Sequence, residues 1–345
     1  MSTEAVTTRG TSGLRSAMHN RGVLVAIVVG IPLSGLFLWL AFRDADLHAV
    51  WSVLSTAETG PVVLAVAAMG GVYVGQAVRW RVIAQTPSVP TRTFFEMVVS
   101  GVAVNNVLPG RIGDFLRARW LQVAARIPGG RALATVFVDR VFDVLALVIF
   151  LAVSLPFVAS ADWLRWIALG GLALLAFLLL ILVAARIYTQ RRARDRRGER
   201  PLIRRLVRDT LEGLSVRFGP RRAAVLTLIS LSSWTIWAVA AWLVARSLGI
   251  EFSLEEAIFV TAVINLGVAI PSSPGFIGTY QWLAVAALSL FDVGTTQALA
   301  FSVLMQAVWY VPTTLVGGAF LVRRGIEAAR ATRAARVPLL EARDA

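Results

Sequence analysis

Apolar residues in this chain fall into long unbroken runs, and polar residues gather between the runs rather than alternating within them. Six runs, at 23–42, 61–78, 133–158, 163–185, 223–245 and 297–322, are long enough to cross a hydrocarbon core, which takes about 17 to 25 apolar residues in a helix. Two further apolar regions, 94–124 and 257–291, are interrupted near their middles by LPGRIG and PSSPGFIG. Proline and glycine end helices there, leaving legs of about 12 to 15 residues that suit re-entrant segments returning to the side they came from. The pattern predicts an all-α polytopic membrane protein with about six full transmembrane helices plus two broken or re-entrant helix pairs.

Composition agrees with lipid as the solvent. The 345 residues are 57% hydrophobic and 16% charged, with mean hydropathy +0.72, whereas soluble domains carry about 25% charged residues. Cysteine is absent and the two histidines, His19 and His48, flank the first run. No metal ligand set, thiol chemistry or cofactor motif is visible, and none is expected. Run 23–42 is too long for the core of a cleaved signal and lacks a small-residue cleavage pattern, so it reads as a retained helix.

All 34 basic residues are arginine, giving a net charge of +14. With a cytosolic N-terminus, 29 of them fall on the cytosolic side, Arg79, Arg81 and Arg117 included, against Arg43, Arg165 and Arg246 outside. Arg111 and Arg140 lie in the membrane. That asymmetry sets the orientation and places both termini in the cytosol, with the chain in the cell's inner (plasma) membrane. The arginine-rich loop 186–222 either binds anionic lipid headgroups or only fixes topology from a surface helix. No shaped soluble domain is present to receive nucleic acid.

The two broken regions share PGxxG, at 109–113 and 274–278, and in each an asparagine follows a glutamate by nine residues: Glu96 and Asn105, Glu256 and Asn265. The chain therefore divides into a tail (1–22), a first membrane half (23–158) broken near 105–114, a second half (163–322) broken near 265–281, and a basic tail (323–345). Each half makes three crossings, so the halves have opposite orientations, an inverted-topology repeat of the kind that builds midplane sites in transporters. Helix starts at the breaks would offer free N–H groups and positive dipole to an anion.

Candidate ligand contacts follow from that placement. Arg111 at the first tip is costly at bilayer depth unless paired or hydrated, and its guanidinium suits phosphate or carboxylate. Arg117, Asn105, Asn106, Gly110, Gly113 and Asp114 surround it; the alternative is an Arg111 to Asp114 pair that pins the turn. At the second tip Ser272, Ser273, Gly275, Gly278, Tyr280 and Gln281 either hydrogen-bond a headgroup or repair broken backbone. Asp139 and Asp143, four apart with Arg140 between, share a helix face. They serve a coupling ion or neutralise the arginines of the first break. Gln306, Trp309 and Tyr310 read as packing and interface residues.

The stretches NNVLPGRIGDFLRARWL from Asn105, DRVFD from Asp139, and Asn265 through PSSPGFIGTYQ at Gln281 resemble the transmembrane, flippase-like domain of lysylphosphatidylglycerol synthases and their stand-alone relatives. The resemblance runs from the first span to the last. It implies a protein that moves a polar lipid between leaflets, with aminoacylated phosphatidylglycerol or polyprenyl-linked glycans among the cargoes of relatives. Members commonly carry Glu where this chain has Asp114, and many carry Glu where it has Gln281. The aminoacyl-transferase domain of full-length synthases is not matched, so lipid synthesis is not expected. The expected partners are anionic lipids and an envelope glycosyltransferase or lipid-modifying enzyme, with the chain itself not an enzyme. It either translocates lipid or scaffolds such a partner.

Overall fold

The computed structural model describes residues 32, 35–43, 45–108, 111–154, 162–192, 209–211, 213–214, 219–268 and 274–341. Gly110, Ser272, Ser273, the tail 1–22 and most of the loop 186–222 lie outside them. Among the described residues all regular structure is helical.

Residues 35–42 are helical and lead to a short helix, α1 (Leu47–Ser55), started by Asp46, whose carboxylate accepts from the backbone N–H of His48 and Ala49. There follow α2 (Thr59–Ala84), α3 (Thr91–Val107), α4 (Ile112–Ala125), α5 (Gly129–Ser154) and α6 (Asp162–Arg192). The second half holds α7 (Pro220–Ser247), α8 (Leu254–Gly267), α9 (Thr279–Leu288) and α10 (Thr295–Glu341). Pro220 opens α7, where its missing N–H costs nothing, and Ser253 with Glu256 forms a capping box on α8.

Four helices among the described residues are long and apolar enough to cross a membrane: Thr59–Ala84, Arg165–Tyr188, Pro220–Ser247 and Thr295–Glu327. The predicted run 133–158 corresponds to α5, which has 26 residues. At about 1.5 Å per residue that length suffices, but Asp139, Arg140 and Asp143 interrupt its apolar surface. The run 23–42 falls mostly outside the described residues.

The halves meet through their matching helices. Arg79 of α2 bonds Ser230 of α7, Gly75 faces Ser233, Gly71 faces Ile236, and Glu58 N donates to Ser247 O. Rising numbers on one helix meet falling numbers on the other, so α2 and α7 run antiparallel. Gly71 and Gly75 form a GxxxG stripe that permits the approach; a Cβ on Gly75 would lie 2.3 Å from Ser233 Oγ. Each broken region is a hairpin, α3 with α4 and α8 with α9. The first leg of each hairpin packs on the last helix of the opposite half, α3 on α10 and α8 on α5. Such an exchange is what an inverted repeat about an approximate two-fold axis produces. One apolar core, including Trp80, Phe94, Met97, Trp234, Phe259, Leu283 and Phe301, runs through both halves. Between Arg165 and Tyr188 most side chains of α6 instead face outward, as suits a helix against lipid.

Candidate functional site

The aspartates of α5 are buried. Four apart on one face, Asp139 and Asp143 point toward α2, α4 and α7, and Asp139 is only 1% exposed. Arg79 Nε donates to Asp139 Oδ1 at 2.8 Å, and its Nη1 lies 2.7 Å from Asp143 Oδ1 and 2.9 Å from Ser230 Oγ. Arg117 Nη2 donates to Asp139 Oδ2 at 2.9 Å, and its guanidinium lies 4.9 Å from the Trp80 ring. Arg140 donates to Asp114 Oδ1 at 2.8 Å and to Asp143 Oδ2 at 3.2 Å, while Trp234 Nε1 donates to Asp143 Oδ1. Three arginines and three aspartates thus form one network without net charge. Of the two readings of the α5 carboxylates, the geometry accounts for neutralisation: each is occupied by arginine.

Arg79 is the member that sequence reasoning missed. The charge count put it with the cytosolic arginines, yet it is 1% exposed. It lies four residues after Gly75 and eight after Gly71, on the stripe that faces α7, and that spacing was the available signal. Arg117, also counted on the cytosolic side, is 2% exposed.

Arg111 stands apart from the network. It occupies the left-handed region at φ 53° and caps the start of α4. Among the described residues its side chain makes no ion pair or hydrogen bond, so the alternative Arg111 to Asp114 pair is not formed; Asp114 takes Arg140 and Arg117 instead. The residue is exposed, and its guanidinium lies 6.0 Å from the Phe276 ring, the outer limit of a cation–π contact. In the alignment of the two PGxxG motifs Phe276 is the counterpart of Arg111, and it too has positive φ, 60°. The two tips therefore meet close to the axis relating the halves, each with a non-glycine residue in a conformation that costs about 1 to 2 kcal/mol.

Both breaks supply acceptors for their own helix starts. Asn105 Oδ1 accepts from Gly113 N at 2.7 Å, and Gln281 Oε1 accepts from Gly278 N at 2.7 Å. Gly113 is pressed so closely on α3 that a Cβ would lie 1.9 Å from Gly101 O. Gln281 Nε2 donates to Gln306 Oε1, and Gln306 Nε2 donates to Gly275 O at 2.6 Å. Gly275 has φ 68°, and a Cβ there would lie 2.6 Å from the Tyr310 ring. Tyr310 OH donates to Asn106 O at 3.1 Å, and Asn106 Nδ2 donates to Thr314 Oγ1 at 2.9 Å, which ties the first tip to α10. Tyr280 is buried against Trp309. The glutamines and Asn105 thus satisfy freed backbone groups. Gln306 and Tyr310, read from sequence as packing residues, hold the breaks in place. No group of His, Cys, Asp and Glu able to hold a metal ion occurs among the described residues.

The sequence is similar to those of several other proteins. The chain is 29% identical over 340 residues to glycosyltransferase AglD of Haloferax volcanii, covering 85% of this chain but 53% of that protein. It therefore spans about half of the glycosyltransferase's length. A UPF0104 membrane protein of Methanothermobacter thermautotrophicus is 24% identical over 87% of this chain and 94% of its own length. Another from Methanocaldococcus jannaschii is 22% identical over 65% of this chain and 95% of its own. Residues 23–317 match the family described by the lysylphosphatidylglycerol synthase TM region, and with both hairpin breaks and the matched motifs inside that segment and only the last span running past its end, this multi-pass membrane protein belongs to that family.

Proposed function

We propose that the protein translocates an anionic lipid, a phospholipid or a polyprenyl-phosphate-linked one, between leaflets, without itself being an enzyme. The observation that carries the reading is Arg111: one guanidinium that has no carboxylate partner among the described residues, at the meeting point of the two tips, beside a network whose three arginines and three aspartates balance. An uncompensated cation at membrane depth is costly, and an anionic headgroup removes that cost while its acyl or prenyl tail stays in the bilayer. The inverted halves would then rock about the junction of the tips. In this reading the protein lies in the plasma membrane with both termini and the arginine-rich loop in the cytosol.

Leaflet exchange in reconstituted vesicles tests it. The wild type is expected to accelerate exchange of a labelled phosphatidylglycerol or polyprenyl phosphate, and Arg111→Ala to lose that acceleration by about tenfold or more, the effect of about 1.4 kcal/mol or more. Exchange no faster than in protein-free vesicles for every anionic lipid would sink the proposal.

A second reading is favoured by the relative named a glycosyltransferase, whose sequence is about twice as long as the part matched here. In that reading the chain is a membrane partner of a glycosyltransferase or lipid-modifying enzyme of the cell envelope. It expects co-purification with such an enzyme and indifference to Arg111→Ala.

A further inference from the structure

Asp114 lies in the first turn of α4, three residues after Arg111, the residue that caps that helix, and opposite charges so close along the chain attract. The two do not pair. Arg140 of α5 holds Asp114 Oδ1 at 2.8 Å, and Arg117 Nε lies 3.4 Å from the same oxygen. Arg111 leaves the other carboxylate oxygen alone as well, because two guanidiniums already neutralise Asp114 and repel a third. Arg140 reaches Asp143 with its second Nη, at 3.2 Å, and is thereby fixed across the carboxylates of two helices. Its side chain is one-third exposed, and so it sits at the rim of the network. Arg79 and Arg117, at 1% and 2%, are sealed within it.

We propose that Arg140 is a positioning residue: by occupying Asp114 it prevents that carboxylate from closing on Arg111 and keeps the Arg111 guanidinium available to an anionic headgroup. The inference rests on the reading of Arg111 as the headgroup contact. Without Arg140 the network carries one excess negative charge, and Arg111, a cation with no ion pair among the described residues, stands at the cap of the helix that bears Asp114. Charges a few ångströms apart in a poorly polarisable interior attract strongly, so Asp114 takes Arg111 and competes with the ligand. Neutralising Asp114 in the same molecule removes the competitor.

Two measurements on the purified full chain decide this. The first is a cycle of thermal midpoints for Arg111→Ala and Asp114→Asn, made in the wild-type and in the Arg140→Gln background. The substitutions are expected to be additive with Arg140 present and non-additive by about 2 °C without it. The second is retention of phosphatidylglycerol over phosphatidylcholine, read by native mass spectrometry. Arg140→Gln is expected to lower the preference about tenfold, Arg140→Lys to recover most of it, and Arg140→Gln with Asp114→Asn to return to within about threefold of wild type. A double variant as poor as Arg140→Gln alone means that Arg140 only supports the fold, and overturns the proposal, as does additivity in both backgrounds. Coupling that appears without any Arg111-dependent lipid preference supports the assignment of Arg140 and overturns the headgroup reading instead. Should Arg140→Gln fail to fold, the charge-balanced double variant carries the test, and its loss of lipid preference overturns the proposal.

Discussion

At the first break six ionised side chains from α2, α4 and α5 surround the hairpin, whereas at the second the corresponding place holds Gln281, Gln306, Tyr280 and neighbouring tryptophans. The backbone problem is the same in both: a helix stops inside the protein, and its freed N–H and C=O groups need partners. Each break solves it locally with an amide side chain, Asn105 or Gln281. The chemistry beyond the backbone differs completely. In the aligned motifs Arg111 matches Phe276, Asp114 matches Thr279, and Arg117 matches Trp282. The two hairpins are thus alike in backbone, while one is charged and the other aromatic and amidic. A headgroup between the tips would meet charge from one side and rings and hydrogen-bonding groups from the other.

That comparison breaks most easily at Asp139. It is the carboxylate shared by Arg79 and Arg117, and Asp139→Asn leaves two guanidiniums short of a counter-charge in a buried site. A loss of about 3 to 5 kcal/mol is expected, seen as a collapse in the yield of monodisperse protein and in its thermal midpoint. Full retention of stability would mean that the network is solvated in the membrane. At the second break Gln281→Ala removes the acceptor for Gly278 N and the donor to Gln306. The cost of about 1 to 3 kcal/mol for an orphaned buried group is smaller, because no net charge is exposed. Smallest of all is the stability effect of Arg111→Ala, within about 0.5 kcal/mol, since the side chain has no ion pair among the described residues to lose. Unfolding of that variant in the same detergent checks it; a large loss would reveal a structural role for Arg111 and narrow the contrast between the two tips.

Helix content, the two breaks and the opposition of the halves were legible because each has a one-dimensional signature: run length, proline with glycine, and a repeated PGxxG. The charge network was only half legible. Asp139, Arg140 and Asp143 stood out inside an apolar run, and neutralisation was one of the two roles read for them. Arg79 did not stand out, since it sits at the end of a predicted span where arginines are normally solvated, and its partners lie 60 and 64 positions further along the chain. Gln306 and Tyr310 were legible as residues of a span but not as props of a break, because their partners, Gly275 O and Asn106 O, are backbone atoms that carry no sequence signal. The helix α1 left no mark on the run-length pattern, because nine residues are too few to cross a bilayer.

The antiparallel seam between α2 and α7 also orders the assembly of the protein in time. When α2 leaves the ribosome, the glycine stripe and Arg79 on its inner face have no Ser230 or Ser233 to meet, because that helix has yet to be made. At about 5 to 20 residues per second the wait is on the order of ten seconds. Through it the membrane insertion machinery must tolerate an arginine-bearing helix, and afterwards the second half closes on the first as one subunit of a dimer closes on another. Two separately expressed halves, cut within the central loop, would face the same docking problem from opposite sides of a single seam.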